Sequence, residues 1–143
     1  MTNQTMEGRI KSTMAIKPAA HGASTITSAA IDLQGFNQLR LKLGIGTMAT
    51  NATLDTKLTE CDTSGGSYTD AVDDAAAVIA FAQKTEAGSD SNTEAQMLVR
   101  TSRLKRFVKV VSVVAVAAAA HYVQADAWAP ESSARAETYV KKV

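Results

Sequence analysis

The sequence predicts an all-β fold: an antiparallel two-sheet β-sandwich, jelly-roll-like, with an extended arm at each end. Three observations carry that expectation. Leu39, Leu41, Leu43 and Ile45 alternate with Gln38, Arg40, Lys42 and Gly44, and a period of two puts one set on a core and the other in water. Arg106–Val114 is a second run of β-branched residues, and such side chains suit a pleated surface. Clusters of turn-forming residues separate these runs, as expected for short strands in a sandwich. The chain of 143 residues fits one domain, taken here as residues 23–130 between arms at 1–22 and 131–143.

Residues 1–22 are polar and without period, and they include Gly8, Pro18 and Gly22. They read either as a disordered terminus or as an arm that orders on a partner. On either reading, trimming Met1–Pro18 is expected to leave the fold intact. Ala23–Leu33 is rich in β-branched residues and reads as a strand ending at the Gln34-Gly35 turn. The Leu39–Ile45 strand follows. In Ala52–Thr59, Leu54 and Leu58 are expected inward, with Asp55, Lys57 and Thr59 outward. The Gly65-Gly66 pair supplies the positive φ of a tight turn, so these strands are expected to form an antiparallel meander.

Asp70–Gln83 is alanine-rich and reads either as a short helix or, over Val78–Phe81, as a short strand, which the surrounding β pattern favours. Gly88–Asn92 marks an exposed loop, and Gln96–Val99 another strand. In the strand 106–114, Phe107, Lys109, Val111 and Val113 share one face. Arg106, Val108, Val110, Ser112 and Val114 share the other. Ala115–Ala120 is read as the tight link of a final hairpin, leading to a strand near Ala120–Trp128 that Pro130 stops.

Composition narrows the function. A net charge of +1 does not mark a nucleic-acid binder. The single cysteine, Cys61, allows no internal disulfide, which fits a reducing compartment. Met1–Lys17 lacks the apolar stretch of a secretory signal. Val108–Val123 is apolar behind a basic flank, but it is short for a span of roughly 20 residues and contains Ser112 and His121. No membrane association is expected.

Every candidate for chemistry stands alone in the sequence. His21 and His121 are far apart and lack metal-ligand spacing, so His121 is read as a structural histidine. Glu60 and Asp62 flank Cys61 and would raise its thiol pKa, which opposes nucleophilic reactivity. Asp62, Asp70, Asp73 and Asp74 do not match a calcium loop. No phosphate-binding or dinucleotide fingerprint occurs. The expectation is a non-enzymatic protein without a cofactor or metal, acting by binding other protein surfaces. Arg100, Arg103, Lys105, Arg106 and Lys109 form the densest charge run. It reads either as a solvated strand edge that discourages pairing or as a contact for an acidic partner. The candidate interface residues are Arg9, Lys11, Lys17, Arg103, Lys105 and Trp128.

The order of pieces resembles a known family. Ala29–Phe36, the Leu39, Leu41 and Leu43 alternation, Leu54, Leu58–Asp62, the Ser64–Asp70 turn, Lys105–Val111 and Pro130 carry the resemblance. Together they are similar to the capsid decoration or cementing proteins of tailed phages, in particular the jelly-roll cementing proteins of Bordetella-type podophages. The family's Gly-rich turn before the last strand is replaced here by Ala115–Ala120. The resemblance implies a homo-dimer or homo-trimer made in the host cytoplasm and seated on the capsid exterior. There it would bridge major capsid protein subunits against DNA pressure. A head-fibre or receptor- or carbohydrate-binding sandwich module is the alternative, and it would want exposed aromatic side chains.

Overall fold

The computed structural model describes residues 10–129. Its strands are β1 (Ile10–His21), β2 (Ser24–Thr27), β3 (Ile31–Asp32), β4 (Gln38–Met48) and β5 (Thr53–Cys61). Then come β6 (Thr69–Asp70), β7 (Lys84–Thr85), β8 (Glu94–Arg100), β9 (Phe107–Ala115) and β10 (Ala119–Trp128). One sheet has the order β1-β10-β4-β8. The other has the order β2-β9-β5-β6, with β3 also on β9 and β7 also on β5. All pairs are antiparallel. If β2 with β3 and β6 with β7 each count as one interrupted strand, eight strands in two Greek-key sheets make a jelly roll.

The alternation seen in the sequence builds the core. Leu39, Leu41, Leu43 and Ile45 of β4 are buried against Leu54 and Leu58 of β5 and Val108, Val110 and Val114 of β9. The inward positions of β10 are mostly small: Ala119, Val123, Ala125 and Ala127. Polar residues share this interior too. Thr56 and Ser112 face each other across β5 and β9, and their hydroxyls bond at 2.9 Å. Each satisfies the other, so neither carries the cost of an unmade hydrogen bond. Ser28 works similarly where β2 gives way to β3. Its hydroxyl accepts the Val110 N–H at 2.9 Å and donates to Ala29 O at 2.9 Å.

Several features depart from the sequence reading. Neither Gly65 nor Gly66 adopts the expected positive φ; among the described glycines only Gly35 does, at 87°. Residues 10–21, expected within an arm, form β1, paired along its length with β10. The polar, Lys-bearing composition of β1 is that of an edge strand, which keeps one side in water. Thr59, expected outward, is buried and donates its hydroxyl to Lys109 O at 3.1 Å. The expected meander is absent, because β4 and β5 lie in different sheets. The expected final hairpin is absent for the same reason: β9 and β10 also lie in different sheets. Residues 116–118 cross from sheet to sheet, with Val116 at φ 71° and Ala117 N–H bonded to Ala115 O at 2.8 Å. A crossover does not need the glycine turn that closes a two-residue hairpin. Pro130 and residues 131–143 lie outside the described residues.

The stretch from 71 to 83 contains no helix, and Val78–Phe81, expected as a strand, forms only isolated bridges, Val78 with Val72 and Ala80 with Lys57. It runs along the far side of β5, where Leu58 N–H bonds Ile79 O and Phe81 N–H bonds Thr56 O, both at 2.9 Å. Asp73 closes its turn by accepting the N–H groups of Ala75 and Ala77. No helix among the described residues is long and apolar enough to cross a membrane.

Candidate interaction surface

Register fixes where the candidate residues fall. The row Ile10–Trp128–Gln38–Arg100 crosses one end of the β1-β10-β4-β8 sheet. The connections Leu33–Asn37 and Thr101–Arg106 leave the same end for Asp32 and Phe107 of the other sheet. Lys11, Arg103, Lys105 and Trp128 therefore gather at one end of the sandwich. Lys17 lies towards the other end, where its carbonyl accepts a hydrogen bond from His21 Nε2 at 3.3 Å. Arg9 lies outside the described residues.

The basic run is matched by acids from distant segments. Arg103 pairs with Asp74, and Lys105 pairs with Asp62 at 3.8 Å. The Lys105 N–H also bonds the Glu60 carboxylate at 2.9 Å. Arg106 grips Asp32 through two nitrogens, at 3.0 and 2.9 Å, in the bidentate geometry a guanidinium offers. The Arg106 hydrogen bonds, helped by the Gln34 N–H, hold the Asp32 carboxyl down at about 2. Lys109 sits 4.4 Å from the Tyr68 ring centroid, a cation–π contact. Three of the five cations of the run, Arg103, Lys105 and Arg106, thus meet acids within the chain. Trp128 is half-buried between Ile10 and Gln38.

The outer face of the β1-β10-β4-β8 sheet carries features that the sequence reading did not single out. Asp126 is almost fully covered on that face. It accepts Arg40 Nη2 at 2.7 Å, Ser12 Oγ at 2.7 Å and Gln124 Nε2 at 3.2 Å. Burial pushes its carboxyl upward, and the three hydrogen bonds together more than reverse that, leaving it lowered. Further along, the Tyr122 ring lies directly across Gly44, where an added Cβ would collide with it. Gly44, Gly46, Ala20 and Ala120 leave a depression of about 640 Å³ beside that ring, rimmed by Asn92, Thr93 and Glu94. Ile10, Met14 and Leu98 are exposed large apolar residues, and register puts them on this face too. The alternation of β4 signalled this face, but only the pairing shows that β1, β8 and β10 share it.

The two histidines, distant in sequence, are neighbours in space, with ring centroids 4.7 Å apart. His121 is 3% exposed and donates Nδ1–H to Ala119 O at 3.2 Å. Its buried Nε2 has no hydrogen-bond partner among the described residues. Burial lowers its pKa; the Ala119 bond acts against this and His21 with it. Cys61 is buried, with Thr63 Oγ1 at 3.9 Å from its sulfur. Among the described residues, no three His, Cys, Asp or Glu side chains converge to hold a metal ion.

No protein-family model matches this sequence, and no curated protein matches it. Solved structures do share its fold. The PBSX exported protein XepA is 12% identical at a TM-score of 0.56, over 86% of this chain and 38% of that one. A chain of infectious bursal disease virus, Gx strain, is 12% identical at 0.51, over 87% of this chain and 34% of that one. The SPBc2 prophage-derived protein YomS is 14% identical at 0.50, over 82% of this chain and 91% of that one. The chain thus spans about a third of the viral protein and of XepA, and most of YomS. At these identities the likeness is one of fold.

Proposed function

We propose that this protein is a virion structural component that coats the outside of an icosahedral phage capsid and cements neighbouring major capsid subunits. It would work by binding alone, without catalysis and without a cofactor. One observation carries the reading: a jelly roll whose structural likenesses include a chain of infectious bursal disease virus, a prophage-derived protein and the PBSX exported protein XepA. The sequence resemblance to cementing proteins points the same way. The physics fits, because a rigid sandwich that bridges subunits stabilises the assembled state as any ligand stabilises the state it binds.

The test is co-sedimentation of the full chain with expanded shells of the parent phage. Saturable pelleting on shells, and none on unassembled capsid protein, is expected. A chain left in the supernatant with saturating shells overturns the reading. A second reading, a receptor- or carbohydrate-binding module of a head fibre, has the Tyr122 depression in its favour. An aromatic ring beside Asn92, Thr93 and Glu94 offers stacking and hydrogen bonding together.

A further inference from the structure

The two sheets have four edges, and three of them are guarded. β1 carries Pro18, Lys11 and Lys17, and its register slips between Met14 and Ile16 and again between Ile16 and Ala19. Proline, lysine and bulges are the usual means of stopping an edge from pairing with another chain. In the second sheet, β2 and β3 have four and two residues, and β6 and β7 have two each. These are too short to template a partner strand. β8 is different. It runs seven residues in unbroken register with β4 and contains no Pro, Gly or Lys. Among the described residues, nothing pairs with its outer edge.

The direction of its free main-chain groups is fixed. Ile45 N–H bonds Thr93 O, and Thr101 N–H bonds Asn37 O, each at 2.9 Å. These bonds bracket the β4–β8 ladder and set its alternation. Ala95, Met97 and Val99 therefore point their N–H and C=O at β4. Glu94, Gln96, Leu98 and Arg100 point theirs outward.

We propose that β8 is a self-complementary interface, on which a second copy of this chain pairs its own β8 antiparallel about a two-fold axis at Met97. In that register Glu94 stands opposite Arg100 of the second copy, and Arg100 opposite its Glu94. Gln96 faces Leu98, and Met97 faces Met97. The outward main-chain groups at 94, 96, 98 and 100 then form the hydrogen-bonded pairs. Side-chain parity agrees: Ala95, Met97 and Val99, which line the core side, meet one another across the axis and extend the apolar layer. Two ion pairs sit at the ends of the new ladder, where opposite charges directly across a strand pair stabilise it. A slip of two residues loses both ion pairs, and a slip of one turns apolar residues to water.

The neighbourhood suits such an addition. A groove of about 390 Å³ lies between Met97–Arg100 and Val78–Ala80, and Val78 and Leu98 are 43% and 60% exposed. The two-fold brings both copies of this groove to the same seam, where Val78 and Met97 can be covered from both sides. Both copies contribute the same patch, as a closed two-fold dimer requires. This interface does not depend on the shell-binding reading.

The experiment is sedimentation velocity of the full chain, without shells, across a concentration series. A monomer–dimer equilibrium is expected. Leu98→Pro removes one outward N–H and leaves the β4 ladder whole, so it should give a folded monomer by circular dichroism. Arg100→Glu should raise the dimer dissociation constant at least about tenfold, and Glu94→Arg with Arg100→Glu should restore it. A wild-type monomer at high concentration overturns the proposal. So does a dimer that Leu98→Pro leaves intact, which would place the contact elsewhere, the chain ends included. Failure of the charge swap to rescue overturns the register. Shell binding by a chain that is monomeric throughout would sink this interface and leave the cementing reading standing.

Discussion

At the residue scale, His121 shows how a side chain that stands alone in the sequence acquires a role from its surroundings. It was expected as a structural histidine, and it is buried in the sandwich. Only one of its two nitrogens is satisfied, however, and the His21 ring stands beside it. The neutral form is favoured because burial disfavours the charged one. A histidine whose folded pKa lies below its ordinary value of 6.5 binds fewer protons when folded than when unfolded. Stability is therefore fully present above that ordinary value and is lost as pH falls below it. Chemical denaturation of the wild type between about pH 5 and 7 should show this slope. His121→Leu, which replaces the ring with an apolar group, should flatten it. An unchanged slope in His121→Leu would overturn the assignment of the effect to this side chain.

At the element scale, the first strand matters most, because its composition hid it. Nothing in Ile10–His21 alternates cleanly, since two register shifts break the period and most of its side chains face water. Yet Ile16 is 2% exposed and packs in the core. Trimming Met1–Pro18, expected from the sequence to be harmless, removes most of this strand and uncovers β10. Loss of cooperative unfolding is the expected result. Ile16→Ala alone should cost about 2–5 kcal/mol, a large share of the roughly 5–15 kcal/mol that holds a typical domain. A truncated chain that melts like the full one would show that β10 can serve as an edge. Strands β4, β5, β8 and β9 were legible because alternation reports which face of a strand is buried. Which strands are neighbours was not, because alternation is silent on pairing. So the crossings at 49–52 and 116–118 were read as a meander and a hairpin. The basic run was legible as charge, but its acidic partners come from 32, 62 and 74, brought in by tertiary structure. The Glu94–Arg100 complementarity was present in the sequence and became readable only once β8 proved to be an edge.

At the scale of the whole molecule, the proposed shell binding and the proposed pairing of β8 would act together. A shell offers the same site many times, so a two-fold dimer can hold two subunits at once. The second contact then forms at an effective concentration set by geometry rather than by bulk solution. On the cementing reading, each occupied site would stabilise the shell by about 2.7 kcal/mol when free protein stands at 100 times its dissociation constant. The melting temperature of expanded shells should therefore rise with added protein and keep rising with the logarithm of its concentration past half-saturation. Arg100→Glu carries its change on β8, and if the dimer supplies the second contact its curve should move to higher concentration by at least about tenfold. The charge-swapped double variant should return it to the wild-type position. A curve that moves for Arg100→Glu and returns for the double variant ties the edge to the cement. A wild-type curve flat at every concentration would separate the protein from shell stability altogether, whatever its oligomeric state.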